Sequence, residues 1–228
     1  MSDKQAERIL ISGMSGSGKT TYAQELIDGY LGKYNQLIIV STKPDLNNYC
    51  EKKFVISDET EPTDLKPVLD KYSKLFFRID ATDPRAFLEA LGHEIMQRED
   101  ILLVIDEAHM LLPMGKTPRA LLSVLTGGRY RGHNVVIITP VLKNASMGID
   151  LLVFNQATIL CFLQMNGSSD IDRASDLAPQ LSEYLPNLKP SRDGLPPEIG
   201  FRNVVTGEAG LLLRMPDNPK KRYWQGVS

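Results

Sequence analysis

Between the apolar run Arg8–Ser12 and a helical pattern that opens at Lys19 lies the octapeptide Gly13-Met14-Ser15-Gly16-Ser17-Gly18-Lys19-Thr20. Its spacing is G-x-x-x-x-G-K-[ST], and its context is the one that spacing requires: a buried strand before it and a helix after it. The helix is predicted over Lys19–Gly32, where Tyr22, Ala23, Leu26, Ile27 and Tyr30 recur at helical intervals. Glycines let backbone N–H groups close around phosphate oxygens. The helix N-terminus adds partial positive charge facing the same anion. On this reading Gly13, Ser15, Gly16, Ser17 and Gly18 wrap a polyphosphate, and Lys19 reaches its β- and γ-phosphates. Thr20 offers a hydroxyl to Mg²⁺, and Thr21 touches the α-phosphate. The expected ligands are therefore ATP and Mg²⁺. The competing reading is a glycine-rich turn that matches by chance.

The rest of the chain alternates apolar β-type runs with helical patterns. Strands are predicted at Leu37–Ser41, Phe54–Ile56, Leu75–Ile79, Ile101–Ile105, Asn134–Thr139 and Ala157–Leu163. Helices are predicted over Thr63–Tyr72, from Asp83-Pro84 to Arg98, over Lys116–Tyr130 and over Ser169–Leu181. Such alternation implies an α/β fold, a mainly parallel sheet with helices on both faces; joined to the phosphate-loop spacing, the expected fold resembles the RecA-like P-loop NTPases. After Leu185 the prolines Pro186, Pro190, Pro196 and Pro197 exclude a long helix. Phe201–Val205 and Leu211–Arg214 read as a hairpin across Thr206–Gly210, followed by an irregular basic tail over Pro216–Ser228. This divides the chain into a P-loop core, residues 1–185, and a Pro-rich extension, residues 186–228.

At 228 residues the chain is long enough to bury a large core without metal or disulfide support. Cys50 and Cys161 provide neither a disulfide framework nor zinc spacing. No apolar run approaches the roughly 20 residues that span a bilayer, and Met1–Arg8 has no signal-peptide core. These features predict a cytoplasmic protein. The net charge of −2 excludes a globally basic nucleic-acid coat, so any such partner would meet a local patch or a channel shared between subunits.

A second motif complements the first. The most hydrophobic strand, Ile101–Ile105, ends in Asp106-Glu107. Carboxylates at the C-terminal end of a buried parallel strand lie at the sheet edge where the phosphate loop lies. Asp106 is placed to hold Mg²⁺, and Glu107 to orient or deprotonate an attacking water. The alternative is that the pair only starts a loop or caps the next helix. His109 completes the string Asp-Glu-Ala-His, which also occurs in two-domain helicases; this chain has room for about one motor domain. His109 either couples nucleotide state to a neighbouring loop or is a plain polar residue at a helix start.

The phosphate loop, the segment LLVIDEAHMLL and the segment GGRYRGHNVVIIT together resemble the FtsK–HerA superfamily of P-loop ATPases, over roughly residues 8–180. The resemblance implies a ring-forming motor that pumps nucleic acid. The short lead before the first strand makes the chain most like the genome-packaging ATPases of membrane-containing viruses. By resemblance Arg129 is the candidate arginine finger, with Arg131 as runner-up, and a solvated helix end as the alternative for both. Thr139 matches the polar sensor at a strand end, but Pro140 stands where the family has glutamine, which puts γ-phosphate sensing in doubt; Asn144 is a substitute.

The implied partners are nucleic acid, double-stranded DNA above all, further copies of the chain in a ring, and capsid or membrane-vertex proteins. The setting would be the host cytoplasm or a virion vertex. Backbone contacts would come from Lys143 and Asn144, or from Lys220-Lys221-Arg222 beside Tyr223 and Trp224. For the tail, a soluble end or an arm that packs on the neighbouring subunit is the favoured alternative. Two other classes stay open. One is a phage or plasmid assembly and secretion ATPase. The other is a non-motor switch or small-molecule kinase, with Arg173, Arg192 and Arg202 available as lid arginines.

Overall fold

Strands β1 (Arg8–Ser12), β2 (Gln36–Ser41), β5 (Ile101–Ile105) and β6 (Asn134–Thr139) are buried at every position, as expected of strands covered on both faces. In the computed structural model, which describes residues 6–60, 64–142 and 148–227, they form the centre of a ten-stranded sheet. The other strands are β3 (Lys52–Ile56), β4 (Lys74–Ile79), β7 (Ile159–Phe162), β8 (Ile199–Asn203), β9 (Ala209–Arg214) and β10 (Arg222–Val227). Their spatial order is β10-β9-β8-β7-β1-β6-β5-β2-β4-β3. From β7 to β3 all pairings are parallel; β8, β9 and β10 add on antiparallel at the β7 side.

The two-residue period of the strands sorts their side chains onto two faces. Ile9, Ile11, Ile39, Val104, Val136 and Ile138 pack on Ala23 and Ile27 of helix α1 (Lys19–Tyr30). Leu10, Ile38, Leu103, Val135 and Ile137 face the opposite, larger layer. That layer contains α2 (Lys66–Lys71), α3 (Arg85–Ile95), α5 (Arg119–Gly127), α6 (Leu151–Asn155) and α7 (Ser168–Leu177). The short α4 (Ala108–Leu111) follows β5. Helices thus cover both faces, unequally.

Several boundaries differ from expectation for local reasons. The helix predicted over Lys116–Tyr130 starts at Arg119, because Pro118 has extended geometry as its N-cap. It ends at Gly127 and tightens into a 3-10 turn, Gly128–Arg131, that Gly132 terminates at φ 74°. Helix α7 stops at Leu177, just before Pro179, which lacks the N–H needed to continue. Thr63, the predicted start of α2, lies outside the described residues.

The irregular tail is a correction. Arg222–Val227 forms the edge strand β10, paired with β9. Gly210 makes room for it: a Cβ there would lie 2.3 Å from the Trp224 ring, which packs edge-on against Phe201 of β8. The aromatic pair Tyr223-Trp224 was a strand signal that the neighbouring cations obscured. The hairpin of β8 and β9 is present as expected, and all three strands continue the sheet of the core.

Arg8 sits at the N-terminal edge of β1 and is 1% exposed. Its guanidinium donates to Leu125 O (2.7 Å), Val124 O (3.2 Å) and His133 O (2.9 Å), so it caps the C-terminus of α5. Burial, and secondarily the nearby Arg129, lowers its pKa to about 10. Arg8→Met should therefore destabilise the fold by about 2–3 kcal/mol, because buried carbonyls lose their donor. Urea unfolding measures this, and a change within about 0.5 kcal/mol would remove Arg8 from the role.

Candidate active site

The parallel register dictates what meets at the C-terminal edge of the sheet. Ser12 of β1 pairs with Thr139 of β6, and β6 lies between β1 and β5. Asp106, directly after β5, donates its N–H to Val40 O (2.9 Å), next to Ser41 at the end of β2. The phosphate-loop residues follow Ser12 at once. An open cleft of about 340 Å³ results. Ser15, Gly16, Gly18, Lys19, Thr20 and Thr21 line one side, and Asp106 and Glu107 the other.

The loop needs its glycines. Gly16 and Gly18 have φ of 79° and 101°, which side chains with a Cβ rarely adopt. Met14 N donates to Gln164 O (2.8 Å), tying the loop to the residues after β7. The Lys19 ammonium donates to Gly13 O (2.7 Å) and Met14 O (2.9 Å). Burial lowers its pKa to about 8 against the opposing pull of Glu107 and Asp106. Ser17 is fully buried, and its hydroxyl has no protein partner among the described residues.

Asp106 is 4% exposed. Its carboxylate accepts from Ser41 Oγ (2.9 Å) and from Glu107 N (3.0 Å). Burial still raises its pKa, so the charged form is under-compensated. A hard divalent cation would supply the missing charge. Thr20 and Asp106 are both oxygen donors on one cleft, and Mg²⁺ takes one or two protein oxygens beside phosphates and waters. The donor set fits that ion.

Glu107 is in the left-handed region (φ 54°, ψ 43°), unusual for a residue with a Cβ. This turn separates β5 from α4 and leaves the side chain lining the cleft. Its Oε1 pairs with the ammonium of Lys43, whose backbone N–H in turn donates to Ser41 Oγ (3.0 Å). His109 Nδ1 lies 3.6 Å from Glu107 Oε2, with burial lowering its pKa. Lys43, Asp45, Ser41 and Ser191 are site residues that sequence reasoning missed. Ser41 and Lys43 had a signal available, since Ser41 ends and Lys43 follows a strand that pairs with β5. Ser191 had none.

The remaining candidates fall elsewhere. Thr139 is buried beside the loop, and its hydroxyl is engaged by Val141, donating to the carbonyl (2.9 Å) and accepting from N–H (3.3 Å). Arg129 is exposed on the Gly128–Arg131 turn beside Tyr130, which is 91% exposed. That turn packs near Arg8 at the N-terminal edge of the sheet. The length of β1, about 13 Å, separates it from the phosphate loop of the same chain. Arg202 donates to Leu177 O, and Arg173 stacks over Phe154, so neither lines the cleft. Arg222 pairs with Glu25 and donates to Pro197 O (3.0 Å), so the tail cation is a packing residue rather than a free one. Lys143 and Asn144 lie outside the described residues.

Comparison with known proteins places this geometry. A family model described as an AAA domain matches residues 2–140. No curated protein matches the chain in sequence. Among solved structures, the chain is similar to the genome packaging NTPase B204 from Sulfolobus turreted icosahedral virus 2 in complex with AMPPCP. There the identity is 14% and the TM-score 0.69, over 92% of this chain and 98% of that one. B204 from Sulfolobus turreted icosahedral virus, described as a DNA-packaging ATPase, gives 14% and 0.64 over 90% and 96%. EccC of Thermomonospora curvata (ATPases 2 and 3) gives 14% and 0.56, over 92% of this chain and 37% of that one. The family match spans more than half of the sequence, including both the phosphate loop and the Asp106-Glu107 pair, and the chain belongs to the AAA domain family of P-loop ATPases.

Proposed function

We propose that this ATPase is a ring-forming, Mg²⁺-dependent motor that translocates nucleic acid and packages double-stranded DNA into a viral capsid. The observation that carries the hydrolytic part is the single cleft shared by Lys19 and Thr20 with Asp106 and Glu107. The packaging part is supported by a likeness that runs over 92% of this chain and 98% of a packaging NTPase chain.

The chain's own groups account for the chemistry. The backbone of Gly13–Thr20 and the Lys19 ammonium bind and orient the triphosphate. Mg²⁺, held by Thr20 and Asp106, would draw charge from the β- and γ-phosphate oxygens. Glu107 accepts the proton of the attacking water as the oxygen bonds to the γ-phosphorus; the bond to the bridging oxygen breaks, releasing ADP and phosphate. Lys43 holds Glu107 at the cleft wall. Arg129 cannot serve the cleft of its own chain, and its exposed position at the other sheet edge suits a neighbouring subunit's γ-phosphate.

Lys19→Ala should abolish ATP binding, read by calorimetry; unchanged affinity would refute the loop assignment. Glu107→Gln should retain ATP affinity while turnover falls by about 10²-fold or more. Chelation of Mg²⁺ should likewise stop turnover of the wild type. Arg129→Ala should lower turnover by about 10³-fold only at concentrations where sedimentation shows assembly, and a full rate in the assembled state rules it out as the finger. Double-stranded DNA should stimulate hydrolysis, with the stimulation lost as salt rises. A rate indifferent to DNA would leave an ATPase that is not a nucleic-acid motor.

A further inference from the structure

We infer that residues 189–198 of the C-terminal extension form the wall of the nucleoside subsite, so that the ribose and base of the bound nucleotide are held by this strap rather than by the core. This rests on the proposed ATP-binding role of the cleft. The direction of the ligand follows from the sheet order. The carboxylates that face the metal and the terminal phosphate come from β5, on the β6 side of β1. The rest of the nucleotide must leave the loop on the other side, toward β7 and β8. The strap leads into β8 from that side.

The contacts are direct. Ser191 N donates to Ser17 O (3.1 Å), and Ser191 lines the cleft beside Gly18 and Thr21. A Cβ on Gly18 would lie 2.7 Å from Ser191 Cβ and 3.1 Å from Pro197 Cβ, so the strap rests on the phosphate loop itself. Ser191 Oγ donates to Leu195 O (2.9 Å), which leaves the oxygen's lone pairs for a ligand donor such as a ribose hydroxyl.

The strap is also pre-organised. Leu195 N donates to Arg192 O (2.8 Å) across Asp193-Gly194, whose φ angles of 52° and 72° close a tight two-residue turn. Arg214 of β9 donates to Pro196 O (2.8 Å) and to Pro190 O, clamping both ends. Arg222 of β10 donates to Pro197 O and pairs with Glu25 of α1. The antiparallel addition to the sheet thus becomes the frame of a binding wall.

Two measurements test this. Ultraviolet crosslinking of the wild-type chain with 8-azido-ATP, followed by peptide mapping, should place the label within residues 189–198, with excess inorganic tripolyphosphate suppressing it. Label confined to other peptides overturns the strap assignment and leaves the phosphate site standing. Absence of any tripolyphosphate-sensitive labelling overturns the ATP-binding reading, and this inference with it. Arg214→Met, which frees the strap without touching the cleft, should weaken ATP binding about tenfold while tripolyphosphate affinity stays within about twofold. Equal losses for both ligands, or no loss for ATP, would overturn the nucleoside role.

Discussion

Everything at the active edge depends on β1 being paired in parallel on both sides, with β6 and with β7. Parallel pairing aligns the C-terminal ends of successive strands, and each end must release its chain at the same edge. The phosphate loop therefore emerges beside Thr139 and across one strand from Asp106. The same pairing fixes the opposite edge. Arg8 starts β1 there and caps α5, so the Gly128–Arg131 turn is held as far from the loop as β1 is long. One buried strand thus joins the glycine-loop end to an exposed cationic end.

The cleft concentrates charge that burial penalises. Lys19 and Lys43 face Asp106 and Glu107, and burial depresses the Lys19 ammonium while raising the Asp106 carboxyl. Each group has hydrogen-bond or ionic partners within the protein: Lys19 in loop carbonyls, Asp106 in Ser41 and the Glu107 N–H, Glu107 in Lys43. A triphosphate with its metal would exchange these partners for stronger ones, which is how a preformed polar site gains affinity without rebuilding its walls.

Much of this was legible in advance. Strands β1, β5 and β6 fell where continuous apolar runs placed them, because buried parallel strands carry no polar alternation to blur them. The loop and the acidic pair meet at one cleft because each directly follows the C-terminal end of a parallel strand that its apolar run marks. The irregular tail was misjudged because β10 is stabilised by partners more than ten residues away, Gly210 and Phe201, and its own Lys220-Lys221-Arg222 run reads as solvated. Ser191 was not legible because proline-rich segments carry no periodicity and its role exists only through packing on Gly18.

By itself the sequence determined the glycine spacing of the loop, the acidic pair that closes the most apolar strand and the α/β alternation that carries both, because each is set by neighbours along the chain. Only the tertiary structure decided that Lys43 holds Glu107, that Arg129 lies at the far edge and that the C-terminal strands bring a strap onto the loop. These depend on strand order, and strand order is chosen by which faces bury each other, a property that no single segment contains.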